Sequence, residues 1–77
     1  MSKLPVVTAK ELEKLLLRIG FVKIRQKGSH AFYRHSDGRY TTLPHHAGED
    51  LSRSLIRQIL REIRITPKEF NSLLRKL

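Results

Sequence analysis

Apolar residues follow a helical period in three segments of the chain and alternate with polar residues between the first two. The first segment predicts a helix over Ala9 to Ile19. The second predicts a helix that begins after Ser52, and the third a short helix that begins after Thr66. The apolar stripes of these helices are, in order, Leu12, Leu15, Leu16, Ile19; Leu55, Ile56, Ile59, Leu60, Ile63; and Phe70, Leu73, Leu74, Leu77.

The segment between the first two helices predicts a three-stranded meander. The predicted strands are Phe21 to Gln26, His30 to Arg34 and Arg39 to Leu43, with turns at Lys27-Gly28-Ser29 and Ser36-Asp37-Gly38. Strict alternation places Lys23 and Arg25 on one face, and Phe32 is expected to point inward. The order α-β-β-β-α-α predicts one α+β domain over residues 1–77, with a three-stranded antiparallel sheet, helices on one face and an open opposite face.

Composition narrows the possible partners and compartments. The chain of 77 residues has 16 Lys and Arg against 7 Asp and Glu, a formal net charge of +9, which suits a nucleic acid, an anionic membrane surface or an acidic protein. It has no cysteine, which excludes disulfides and thiolate metal sites and fits a reducing cytosol. Met1 to Val7 lack the apolar core of a signal peptide, and no apolar run approaches a membrane span. We therefore expect a cytoplasmic protein with no membrane partner.

The run from Gln26 to His30 is the strongest candidate for chemistry. An imidazole exchanges protons near neutral pH, as hydrolysis of RNA through its 2′-hydroxyl requires. Gly28 permits close approach of an RNA backbone, and the N–H groups of the turn with Ser29 can hold a phosphate oxygen. Arg25 and Lys27 can balance the charge that develops. The alternative is a histidine in a turn with no role.

The other candidates carry weaker signals. His45 and His46 could supply a second acid–base group or belong to a solvated loop. Tyr33 and Tyr40 could stack on bases or fill the sheet. Arg53, Arg57, Arg61 and Arg64 form a cationic stripe on helix 2 that either contacts RNA or an acidic partner or is simply a solvated face. With no cysteine, no clustered carboxylates and no paired helical histidines, we expect no metal and no cofactor.

Two resemblances extend this interpretation. The α-β-β-β-α core resembles the double-stranded-RNA-binding fold, whose members contact RNA by shape and through its phosphates and 2′-hydroxyls. The sequence also resembles the HicA toxins of bacterial and archaeal toxin–antitoxin systems, from about Thr8 to Leu77. The matching segments are Gly20-Phe21, Lys27-Gly28-Ser29-His30, Tyr33-Arg34-His35, Leu43-Pro44-His45-His46, Leu55-Ile56-Arg57-Gln58-Ile59-Leu60 and Ile65-Thr66-Pro67-Lys68-Glu69-Phe70.

The HicA resemblance implies an mRNA-cleaving endoribonuclease that arrests translation and a HicB antitoxin that covers its active site. It implies that His30 is the catalytic histidine, beside Gly28 and Ser29, and it matches the family's second histidine to His46. DNA contact by this chain alone is not expected. The family's usual glycine between the last two helices is Arg64 here, which argues against a regular C-cap. A non-catalytic RNA-binding module and a domain that binds an acidic protein are the alternatives.

Overall fold

The computed structural model describes residues 4–77, and Met1 to Lys3, the start of the segment tested for a signal peptide, lie outside the described residues. Three helices and three strands follow in the predicted order. They are α1 (Ala9–Arg18), β1 (Val22–Lys27), β2 (His30–Arg34), β3 (Tyr40–Pro44), α2 (Arg53–Ile63) and α3 (Pro67–Arg75). The strands form one antiparallel sheet in the order β1-β2-β3, which confirms the predicted α+β class. No helix within residues 4–77 has the length and apolar character of a membrane span.

The helices begin where side-chain caps satisfy their first N–H groups. Thr8 and Thr66 each form a capping box, with Glu11 and Glu69 respectively, and the Ser52 hydroxyl accepts from the N–H of Leu55. The stripes of α1 and α2 pack against the sheet, and α3 adds Phe70 to the same core. Leu77, the last residue of the third predicted stripe, is exposed. The side chains with almost no exposure include Leu12, Leu15, Leu16, Leu43, Ile56, Ile59, Ile63 and Phe70.

Helix α2 ends in a regular C-cap although its capping residue is not glycine. Arg64 adopts the left-handed conformation (φ 57°, ψ 46°), and its N–H donates to the carbonyls of Arg61 and Leu60. The N–H of Ile65 also donates to Leu60, and Arg39 donates to the Ile63 carbonyl at 2.6 Å. A left-handed residue other than glycine costs about 1–2 kcal/mol. These hydrogen bonds offset that cost, so the expectation drawn from the missing glycine was wrong.

The faces of β2 are the reverse of what was expected for Phe32. Ala31 and Tyr33 are buried against the helices, whereas His30 and Arg34 are exposed. Because side chains alternate along a strand, Phe32 lies on the open face with His30. The prediction that Phe32 points inward was therefore wrong.

Strand β1 contains an irregularity that alternation alone does not reveal. Lys23 pairs with Tyr33, but Arg25 pairs with Phe32, so the register shifts across Ile24. The extra residue places Lys23 on the helix side of the sheet and Arg25 on the open face. The expectation that these two cations share a face was wrong, and the shift brings Arg25 to the side where His30 lies.

Candidate functional site

The turn between β1 and β2 is short and tightly held. Lys27 pairs with His30, so the connection between the strands consists of Gly28 and Ser29. Of these two residues, Gly28 has a positive φ, of 60°, and Ser29 does not. A positive φ at the first central residue defines a type II′ turn, which suits glycine. The Gln26 amide donates to the Gly28 carbonyl at 3.1 Å, and the N–H of His45 donates to the Ser29 carbonyl at 2.6 Å. The turn thus fixes the backbone position of His30.

His30 lies on an exposed surface that is both cationic and aromatic. It faces Lys27 on one side and Pro44 on the other, and it is two residues from Phe32 on the same face. The Arg25 guanidinium lies over the Phe32 ring, 4.7 Å from its centroid. The Phe32 and Tyr40 ring centroids are 6.3 Å apart. Cations beside partly exposed rings are the combination that binds phosphates and stacks on bases in single-stranded RNA.

A groove of about 250 Å³ runs from His30 along β3 to one flank of α2. Its lining residues are His30, Tyr40, Thr42, Pro44, Leu55, Gln58, Ile59 and Glu62. Glu62 accepts a hydrogen bond from the hydroxyl of Thr41, at 2.8 Å, and Thr41 is only 1% exposed. The groove therefore has an imidazole at one end and a carboxylate toward the other.

A second cavity, of about 550 Å³, lies on the helix side of the sheet and contains the other two loop histidines. His46 is exposed there, with Lys10 of α1 and Gly48 among its neighbours. His30 lines the groove and not this cavity. The structure thus brings Arg25, Lys27, Gly28 and Ser29 to His30, and it separates His46 from them.

Below that cavity, a polar network joins α1 to the sheet. The Tyr33 hydroxyl is hydrogen-bonded to the Glu13 carboxylate and, at 2.8 Å, to Nε2 of His45, while Lys23 lies 3.3 Å from Glu13. Burial, followed by the contact with Glu13, raises the pKa of Tyr33 far above its ordinary range. Burial alone would raise the pKa of Glu13, but hydrogen bonds from Tyr33 and Lys23 outweigh it and lower that pKa.

This network excludes one of the two predicted stacking residues. Tyr33 is 0% exposed and its ring cannot meet a base, whereas Tyr40 is 45% exposed on the open face. The suggested stacking role of Tyr33 was therefore wrong. No role in the site was predicted for Phe32, Gln58 or Glu62, which the structure places on the open face or in the groove. The spacing of two between His30 and Phe32 could have shown that they share a face.

The arginine stripe of α2 lies away from the groove. Arg57 and Arg61 line a separate cavity with Leu60, Ile65 and Pro67. Arg57 directly precedes Gln58, and Arg61 directly precedes Glu62. Consecutive residues of a helix point about 100° apart, so the arginines face away from the groove that Gln58 and Glu62 line. Arg53 donates from Nε to the Leu4 carbonyl at 2.8 Å, which ties α2 to the segment before α1. Within residues 4–77, no group of three or more His, Asp or Glu side chains is arranged to hold a metal ion.

Comparison with known families decides the assignment of the chain. The model of the family described as "HicA toxin of bacterial toxin-antitoxin" matches residues 9–65. The chain belongs to the HicA toxin family. No curated protein matches the chain. The HicA match spans α1, the whole sheet and α2, and so contains the His30 turn and the groove.

Proposed function

We propose that the protein is an endoribonuclease that cleaves mRNA as the toxin of a toxin–antitoxin system. The observation that carries the proposal is the exposed His30 imidazole, which extends from a backbone held by a type II′ turn, beside Arg25, Lys27 and the Phe32 ring. Membership of the HicA family supports it. A positioned imidazole supplies the proton transfer, and the cations around it hold the substrate.

The reaction proposed is attack of a ribose 2′-oxygen on the adjacent phosphorus. His30 takes the proton of the 2′-hydroxyl as the new O2′–P bond forms. The P–O5′ bond breaks, and the departing 5′-oxygen receives a proton from solvent. The products are a 2′,3′-cyclic phosphate and a 5′-hydroxyl. The backbone N–H groups of Gly28 and Ser29, with Arg25 and Lys27, are the groups we assign to the phosphate.

This chemistry makes a prediction about metal ions and product ends. Because the nucleophile belongs to the RNA and the base is His30, cleavage should continue in EDTA and leave 2′,3′-cyclic phosphate or 3′-phosphate ends. The measurement is incubation of purified protein with 5′-labelled RNA, followed by end-group analysis with a phosphatase that cannot remove cyclic phosphates. Loss of cleavage in EDTA with recovery on added Mg²⁺ would contradict the proposal. Salt-dependent binding without cleavage would favour the non-catalytic RNA-binding module.

The placement of the cations predicts two different effects on RNA affinity. Arg25→Gln with Lys27→Gln should lower the slope of log affinity against log salt by roughly 0.7 for each phosphate that the protein no longer neutralises. Arg53→Gln with Arg57→Gln removes the same charge from the far flank of α2 and should change the slope less. Both pairs are tested on the His30→Ala background, so that RNA is not consumed. Equal slopes for the two pairs would refute this placement of the substrate.

Arg53, Arg57 and His46 were also predicted to position RNA. His46 and Arg57 line other cavities than the groove. We therefore expect these three residues to contribute less to RNA affinity than Arg25 and Lys27 and to leave the cleavage step unchanged. We also propose a HicB-type antitoxin as partner and a cytoplasmic location. The family and the net charge of +9, which attracts acidic surfaces, support the partner. To block cleavage it must cover the His30 turn and the groove. Co-purification of the protein with the product of an adjacent gene, followed by the cleavage assay, tests this partner.

A further inference from the structure

We infer that the groove beside His30 is a nucleobase subsite that selects guanine through Glu62 and Gln58. This inference rests on the proposed function, because it names the base next to the bond that is cut. Glu62 is the feature that prompts it. Among residues 4–77, no cation lies within 4 Å of its carboxylate, although the chain carries a net charge of +9. A carboxylate on an RNA-binding surface repels phosphates. Beyond its bonds from the Thr41 hydroxyl and the Gln58 amide, it can still accept hydrogen bonds from a ligand that carries donors.

The shape of the groove suits a single base. At about 250 Å³ it is smaller than the ~300–1,000 Å³ typical of sites for drug-sized ligands. Leu55, Ile59 and Pro44 provide apolar surface, and the half-exposed Tyr40 ring provides a face for stacking. His30, Tyr40 and Thr42 contribute polar groups from the strands. The flank of α2 adds Gln58 and Glu62, which lie four residues apart and so are adjacent along the helix.

The polar groups of that flank match one base better than the others. The Watson–Crick edge of guanine presents two adjacent N–H donors, N1–H and the N2 amino group, and then the O6 acceptor. A carboxylate accepts two parallel N–H bonds, and an amide can donate to the acceptor beside them. The Thr41 hydroxyl donates to Oε1 of Glu62, and the Gln58 side-chain amide donates to Oε2 at 3.5 Å. Each oxygen keeps a second lone pair for one guanine donor, and the amide keeps a second N–H for O6. Adenine offers one donor beside an acceptor, and uracil a single N–H between two acceptors.

The distance between Glu62 and His30 indicates that Glu62 recognises a base and takes no part in proton transfer. His30 is paired with Pro44, and Glu62 is anchored at Thr41, three residues earlier on β3. Three residues of strand correspond to about 10 Å. That spacing is too long for a direct proton relay with His30 but fits a base whose own phosphate lies at the imidazole.

The test compares cleavage rates on RNA oligonucleotides that differ only in the base beside a single cleavable position. The wild-type protein should prefer guanine, and Glu62→Gln should lose roughly 5- to 150-fold of that preference, the range for one bidentate base contact. Glutamine still accepts from Thr41, so the variant keeps that hydrogen bond. Gln58→Ala should lose a smaller part of the preference for guanine. Because Gln58 is exposed, this variant can replace Glu62→Gln in the test if Glu62→Gln proves unstable. Glu49→Gln, in the loop before α2 and outside the groove, is the charge-matched control.

A second measurement separates this inference from the proposed function. Guanosine and adenosine 3′-monophosphates are titrated against wild type and Glu62→Gln by NMR, which requires no cleavage. Tighter guanosine binding that is lost in the variant supports the subsite even if no RNA is cut. Cleavage that depends on His30 but shows no base preference would contradict the guanine subsite while still supporting the proposed endoribonuclease activity. An equal fall in rate at every base in Glu62→Gln overturns it too, because that result makes Glu62 an acid–base group.

Discussion

Replacing His30 by alanine should abolish toxicity and mRNA cleavage while the protein stays folded. Loss of a general base typically lowers a rate by ~10²–10⁴-fold, enough to end growth arrest by an enzyme that must act faster than mRNA is made. The fold should persist, because the side chain is exposed and, in the described part of the chain, makes no hydrogen bond. Exposed substitutions of this kind usually change stability by less than ~0.5 kcal/mol. The measurement is growth and mRNA integrity after induction in a bacterial host.

His46→Ala is the matched control for that experiment. It removes another exposed histidine, but one that lines the cavity on the opposite side of the sheet. If cleavage depends on the groove, this variant should remain toxic at equal expression. Equal loss of toxicity in the two variants would mean that His30 has no special place in the reaction.

Replacing Tyr33 by phenylalanine should cause a large loss of stability. The Tyr33 hydroxyl is buried and connects Glu13 of α1 to His45 of the loop after β3. Without it, the His45 ring loses its hydrogen bond and Glu13 keeps Lys23 but loses the hydroxyl donor. A buried hydrogen bond lost in this way costs about 1–3 kcal/mol. In a domain of this size, each kcal/mol lowers the melting temperature by about 4–8 °C. Tyr40→Phe removes a hydroxyl from the exposed tyrosine of the open face and should leave the melting temperature nearly unchanged.

The stability lost in Tyr33→Phe should also depend on pH, with a sign set by Glu13. The pKa of Glu13 in the folded protein lies below its ordinary value of 4.5, so the unfolded chain binds the proton more tightly. This group therefore stabilises the fold above pH 4.5, and that contribution disappears as the pH falls through the folded pKa. Burial raises the pKa of Glu13, and the hydrogen bond from Tyr33 opposes that effect. Removing the Tyr33 hydroxyl therefore raises the pKa of Glu13. The stability difference between the two proteins should thus be largest near neutral pH and shrink in acid.

Chemical denaturation at several pH values measures this difference. Glu11, Asp37 and Glu69 also have lowered pKa values, because of hydrogen bonds that Tyr33 does not share. Their contributions are common to both proteins and cancel in the comparison. A stability difference that grew as the pH fell would contradict the assigned role of Tyr33.

The sequence predicted the elements of the fold because each has a local cause. Helical stripes, the threonine and serine caps and the glycine turns depend on residues within a few positions of one another. The end of α2 is the exception, since the left-handed Arg64 depends partly on Arg39, which is distant in sequence. The predicted boundaries of α1 and β2 agree with the structure to within one residue.

The sequence predicted the turn residues of the site but not the residues that α2 contributes, for a physical reason. The turn residues and His30 are contiguous, so their proximity follows from the chain itself. Gln58 and Glu62 reach the groove only because α2 packs beside β3 with one flank toward it, which no local pattern specifies. The shift across Ile24 likewise decides the face of Arg25, and alternation in the sequence gives no sign of it.

The most direct test of the central claim is the single-turnover rate of RNA cleavage by purified wild type, His30→Ala and His46→Ala in EDTA. We expect metal-independent cleavage by the wild type, a rate ~10²–10⁴-fold lower for His30→Ala and a rate near wild type for His46→Ala. A His30→Ala protein that is folded and cleaves the same RNA at the wild-type rate would contradict it.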